Sequence, residues 1–212
     1  LTAWSDMFCT FAGLPPVTDG VIRFTRTEEV KISSPHATTD DSEEFQHATD
    51  TFPASDPVLI ERPVGGIPPV IDTPAQLEHA AEKLRVGTGP VAVDTERASG
   101  YRYGQRAFLI QLKRDGDTIW LIDSESLTDL APLQRALSGV EWILHAAIQD
   151  LPSLRQARLW PDRLFDTELA GRLLGYPRVS LSALLEHKLN VTLAKEHSAA
   201  DWSVRPLTED MR

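Results

Sequence analysis

At 212 residues, with 42% hydrophobic residues and a formal charge of −10, the chain can bury a substantial core and lacks the basic balance of a protein that grips nucleic acid by charge alone. Its single cysteine, Cys9, excludes an internal disulfide and a cysteine-based zinc cage. No apolar run reaches membrane-spanning length and no signal-peptide pattern opens the chain, so a soluble, cytoplasmic protein with no membrane partner is expected.

Residues 1–70 read as an acidic, largely irregular N-terminal extension, followed by a domain over 71–212. Residues 1–89 hold 6 Lys and Arg against 14 Asp and Glu, whereas 90–212 hold 15 against 17. Thr38 to Asp56 is rich in Thr, Ser, Asp and Glu, a composition that struggles to fold alone. Pro53, Pro57, Pro63, Pro68 and Pro69, with Gly65-Gly66, break regular structure further. A strand is predicted within Val21 to Val30, and Leu1 to Phe11 is apolar enough to dock, but neither carries chemistry.

Order begins at Ile71. Thr73-Pro74 ahead of Leu77, Ala80, Ala81 and Leu84 predicts a helix capped by Thr73. Val91-Ala92-Val93 is a short β-forming run after the loop signal Gly87-Thr88-Gly89-Pro90. A polar link with Arg97, Arg102 and Arg106 leads to two strands, Phe108 to Leu112 and Thr118 to Ile122, around an Asp115-Gly116 turn. Leu130 to Leu137 has helical spacing, Glu141 to His145 reads as a further strand, and from Ile148 onward the pattern reads as almost entirely helical. Together these predict an α/β domain: a mixed sheet with flanking helices.

Chemistry concentrates at two strand ends. Asp94 and Glu96 are two apart, so in extended chain they share a face. Two like charges side by side repel unless a cation lies between them, and hard divalent ions favour carboxylate oxygens. Asp150 follows the strand ending at His145; ligand sites in open α/β sheets gather beyond such carboxyl ends. Taken singly, each has a plainer role: a solvated strand end for the pair, a helix cap for Asp150 before Pro152, a hydrogen-bonded core histidine for His145. The remaining histidines show no metal spacing, and there is no internal repeat or phosphate-cradling glycine loop.

From Val91 to the chain end the sequence resembles the ribonuclease D branch of the DEDD 3′–5′ exonucleases. The resemblance is carried in order by Val93-Asp94-Thr95-Glu96, Phe108-Leu109-Ile110-Gln111-Leu112, Leu121-Ile122-Asp123, Leu144-His145-Ala146-Ala147-Ile148-Gln149-Asp150-Leu151, Leu164-Phe165-Asp166-Thr167-Glu168-Leu169-Ala170, Leu173-Leu174-Gly175-Tyr176 and Asp201-Trp202-Ser203-Val204-Arg205-Pro206-Leu207. It implies a ribonuclease H-like fold and 3′–5′ exoribonuclease activity on RNA 3′ ends such as tRNA precursors, with DNA left open as a substrate and protein partners unspecified. Two divalent ions, Mg²⁺ or Mn²⁺, are implied on Asp94, Glu96 and Asp150, with Asp94 shared between them, Glu96 on the side of the attacking water and Asp150 on the other.

Thr95, His145, Gln149 and Arg205 are candidate substrate-binding residues under the same resemblance, each with packing or capping as the alternative. Asp166 is a cap or a partner that orients the site. The family's third motif, a tyrosine and a fourth aspartate on the next helix, matches no residue of this sequence. Thr208-Glu209-Asp210 opens a helix in which no such pair occurs, so the domain is expected to be C-terminally truncated. Two other functions are therefore kept: a catalytically incomplete nucleic-acid-binding or scaffold domain, and a DNA proofreading-type exonuclease.

Overall fold

A computed structural model describes residues 56–60, 66–98, 100–114, 118–193, 200–208 and 211. The expected strand within 21–30, the apolar segment 1–11 and the Asp115-Gly116 turn lie outside these residues. One short strand, β1 (Val58–Ile60), falls within the stretch read as irregular, and a second, β2 (Val70–Ile71), crosses its boundary.

Helix α1 (Pro74–Val86) begins as its sequence dictates. The Thr73 hydroxyl accepts from Gln76 N at 3.4 Å and Gln76 Oε1 accepts from Thr73 N at 3.1 Å, a reciprocal capping box with proline at the first turn. Leu77, Ala80, Ala81 and Leu84 form its buried stripe. There follow β3 (Val91–Arg97), β4 (Ala107–Lys113), β5 (Ile119–Asp123), α2 (Ala131–Ala136), β6 (Glu141–Leu144), a 3₁₀ turn at Ala147–Gln149, α3 (Leu151–Gln156), β7 (Arg163–Asp166), α4 (Thr167–Leu173), α5 (Leu181–Leu189) and β8 (Val191–Leu193).

Six strands make one sheet in the order β2-β5-β4-β3-β6-β7. The β3–β4 and β4–β5 pairs are antiparallel, while β2–β5, β3–β6 and β6–β7 are parallel. Strand β4 is buried at every position, which is why it reads as a nearly continuous apolar run. On one face Val91, Val93, Ile110, Leu112 and Ile122 pack against the stripes of α1, α2 and α3. The other face is covered in two patches, one under Trp202, Leu207 and Met211 and one under Leu181 and Leu185 of α5. This is the expected α/β mixed sheet with flanking helices.

Two expectations need correction. The strand predicted to His145 stops at Leu144, because Ala146 enters the left-handed region (φ 55°) and turns the chain out of the sheet. The helical reading after Ile148 is interrupted by β7 and β8. Strand β7 lies at the sheet edge with Leu164 and Phe165 both exposed, so it lacks the alternation that marks a half-buried strand. Strand β8 has three residues and, among the described residues, pairs in parallel with β1 alone, a partner 133 positions away at Val58↔Val191.

Candidate active site

Asp94 and Glu96 leave the C-terminal part of β3 on the same side, both half-buried. Directly across from Asp94 on β4 is Gln111, which is 1% exposed. Its Nε2 donates to Glu96 Oε1 at 3.2 Å and lies 3.5 Å from Asp94 Oδ2. One amide thus supplies positive charge density to two neighbouring carboxylates. The Gln111 Oε1 is buried without a hydrogen-bond partner, which costs free energy and is tolerated because the Nε2 end is needed where it is. Sequence reasoning missed Gln111. The only signal for it was a lone amide within the run Phe108-Leu109-Ile110-Gln111-Leu112.

Asp150 occupies the N-cap position of α3, yet its side chain makes no capping bond, so the cap reading fails. Oδ1 instead accepts from the Thr95 hydroxyl at 2.7 Å. Ser153, fully buried, lies 3.1 Å from the same hydroxyl and donates to the Asp150 carbonyl at 2.7 Å. Burial pushes the Asp150 carboxyl above its usual range, with the Thr95 bond and the Arg97 charge opposing and the Asp166 charge adding. Thr95 lies between Asp94 and Glu96 but points to the other face by strand alternation. Asp150 is therefore tied to the strand end that carries the pair. The expected convergence of three carboxylates on a shared ion is not met: among the described residues no group of three or more His, Cys, Asp or Glu side chains is close enough to hold a metal. The Asp94–Glu96 pair by itself suits a hard divalent cation, which takes one or two carboxylates and completes its shell with water and phosphate oxygens.

Asp166 is both things the sequence allowed. It caps α4 by accepting from Glu168 N and Leu169 N, and it accepts from Ala146 N at 3.1 Å and Ala147 N at 2.9 Å. It thereby fixes the left-handed turn that carries the chain toward Asp150. His145 is half-buried, with Nδ1 2.9 Å from the Thr167 hydroxyl. Burial lowers its pKa, against the raising charges of Glu168 and Asp166, which favours the uncharged ring. Gln149 is exposed on the 3₁₀ turn.

Arg205 is a correction. Its guanidinium forks onto Asp123, Nε to Oδ2 at 2.7 Å and Nη2 to Oδ1 at 2.6 Å. The remaining donors go to the carbonyls of Trp202, Val204 and Phe108, each at 2.8 Å. All five N–H groups serve the fold, and none is left for a phosphate.

Among the described residues no helix is long and apolar enough to cross a membrane. Residues 68–212 match the family described as 3′-5′ exonuclease. Ribonuclease D of Cronobacter turicensis is 37% identical over 123 residues, 56% of this chain and 33% of that protein. The crystal structure of Escherichia coli RNase D, described as an exoribonuclease involved in structured RNA processing, superposes with a TM-score of 0.59 at 33% identity, over 68% of this chain and 39% of that one. A crystal structure of a protein from Bifidobacterium adolescentis gives a TM-score of 0.70 at 48% identity, over 73% of this chain and 38% of the other. The chain thus spans well under half the length of these relatives. Enzymes of this family use divalent metal ions, in keeping with the oxygen donors at the end of β3. With the family match over most of its length, the fold shared with RNase D and the motifs in their expected order, the chain belongs to the ribonuclease D-like DEDD 3′–5′ exonucleases.

Proposed function

We propose that the chain carries a 3′–5′ exoribonuclease centre that shortens RNA from its 3′ end, tRNA precursors included, releasing nucleoside 5′-monophosphates. The observation that carries this reading is the Asp94–Glu96 pair at the end of β3, bridged by Gln111 and lying inside the family match. Asp94, Glu96 and Asp150 are the proposed ligands of two divalent ions, Mg²⁺ or Mn²⁺, which when bound would activate water and offset charge on the leaving oxygen. Asp94 would be the shared ligand, and Asp150, which Thr95 and Ser153 hold at the same strand end but apart from the pair, would have to leave the Thr95 hydroxyl to join it. Attack on the last phosphodiester breaks its bond to the 3′ oxygen of the preceding nucleotide, and that oxygen takes up a proton as the mononucleotide departs. His145 and Gln149, near the same strand end in sequence, are proposed to border the terminal nucleotide. Residues 71–212 are the working unit in this reading, 1–70 an extension, and the cytoplasm the place of action.

The test is a 5′-labelled RNA with a single-stranded 3′ tail, incubated with Mg²⁺ or Mn²⁺. A ladder shortening from the 3′ end, with 5′-monophosphate products, is the expected result. Asp94→Asn should reduce trimming to background while leaving the circular dichroism spectrum unchanged. A wild-type chain that binds RNA without shortening it, indistinguishable from Asp94→Asn, would favour the binding-domain reading instead.

A further inference from the structure

We propose that the loop between β3 and β4 is a single-strand RNA subsite, in which Tyr103 stacks a base and Arg102 and Arg106 meet the backbone next to the linkage being cut. This rests on reading the Asp94–Glu96 pair as the cleavage centre. The stretch Gly100-Tyr101-Arg102-Tyr103-Gly104-Gln105-Arg106 interleaves aromatic and cationic residues and holds no acid, in a chain whose net charge is −10. Tyr103 is fully exposed and Tyr101 is 58% exposed. The Tyr103 ring, left wholly in water, does nothing for the core, and an exposed aromatic beside arginines marks a recognition surface.

The loop is held in shape. Tyr101 N and Arg102 N both donate to the Ala98 carbonyl, Arg97 Nη1 donates to Gln105 Oε1 at 2.9 Å, and Arg102 Nε donates to Ser203 Oγ at 3.1 Å. Beneath it opens a pocket of about 390 Å³ lined by Arg102, Tyr103, Gly104, Arg106 and Phe108, with Glu125 and Ser203 at its polar wall. Phe108 reaches that pocket because the β3–β4 register slips there: Glu96 pairs with Leu109 and Arg97 with Ala107, so Phe108 is an extra residue on β4. The bulge explains why two consecutive residues, Phe108 and Leu109, both join the cluster around Trp202. The Arg106 guanidinium sits 5.6 Å from the centre of the Phe108 ring, a cation–π contact, and it pairs with Glu125 at 3.0 Å. Since Leu109 is directly across from Glu96, the pocket starts one residue beyond the carboxylate pair. Aromatic faces beside guanidinium groups are what unpaired nucleotides bind, bases on rings and phosphates on arginines.

The experiment measures binding of a 5′-fluorescein oligoadenylate of about 12 nucleotides to the chain by anisotropy in EDTA, as a function of salt. Tyr103→Ala, which removes a fully exposed ring and so leaves the fold alone, is expected to weaken binding roughly tenfold without changing the salt slope. Tyr103→Trp should restore it. Arg102→Ala should flatten the slope by about 0.7 for each phosphate no longer neutralised. An oligomer abasic along its length should bind wild type and Tyr103→Ala equally. The proposal is overturned if Tyr103→Ala binds as wild type does, if its defect persists on the abasic oligomer, or if the wild-type chain does not bind the oligomer. Loop-dependent binding by a chain that never trims RNA in Mn²⁺ leaves this subsite standing and removes the proposed function; trimming at full rate by variants that bind normally does the reverse.

Discussion

At the scale of single residues, the site turns on how its negative charge is balanced. Gln111 faces two carboxylates with one amide while its own oxygen goes without a partner. Gln111→Glu keeps the shape and reverses that balance, setting a third acid against Asp94 and Glu96. It is expected to cost about 2–4 kcal/mol at pH 7 without metal. Mn²⁺ should recover more stability in this variant than in wild type, read from urea melts with and without the ion. Equal behaviour of the two proteins would mean that the amide is not what reconciles the pair. Asp94 and Glu96 were legible in the sequence because their spacing alone places them on one side of a strand. Gln111 was not, because cross-strand register depends on how far the following loop slips, and no local pattern encodes that.

At the scale of elements, the turn between β6 and α3 is held by a side chain from elsewhere. Asp166 caps α4 and also accepts from Ala146 and Ala147, so it joins two segments in the sheet's parallel half. Asp166→Ala loses a cap, about 1 kcal/mol, and strands two backbone donors at a partly buried position, about 1–3 kcal/mol more. A drop of about 2–4 kcal/mol in urea at an unchanged m-value is the expected outcome, with Asp166→Asn falling between. A loss well under 1 kcal/mol would show that water replaces the aspartate readily. The elements themselves divide by length. Helix α1, with cap, first-turn proline and a four-residue stripe, was readable at its start and along its buried face. Strands β1, β2, β7 and β8, two to four residues each, exist through pairing with distant partners and leave no periodic trace.

At the scale of the whole molecule, residues 200–208 are bound to the sheet by one fork. Arg205 grips Asp123 at the end of β5 while Trp202, fully buried, packs against Leu109 and Leu121. Asp123 is nearly buried. Burial alone would raise its pKa, but the Arg205 bonds, the Ser126 bonds and the Arg205 charge outweigh this and hold the carboxyl below its usual value. The folded state therefore binds this proton less readily than the unfolded state. Its contribution is complete above the unfolded value near about 4 and is lost as pH falls through the lower folded value. Asp123→Ala leaves a mostly buried guanidinium without its counter-ion and should cost about 3 kcal/mol at pH 7. It should also raise hydrogen exchange across 200–208, and the variant should show a shallower loss of stability on acidification than wild type. Unchanged exchange would mean that the packing of Trp202 and Leu207, with the Arg102–Ser203 bond, secures the segment without the fork. The sequence left Arg205 between a phosphate contact and packing; only the fold brings Asp123, 82 positions earlier, within reach.

The slipped register at Phe108 has a consequence for how such a domain can vary over time. A bulge immediately past Glu96 takes up one extra residue on β4, so a change of that size in the segment that follows need not slide the two acids along their neighbour strand. Diversity in what is gripped can accumulate on one side of that joint while the cutting geometry on the other side is inherited intact.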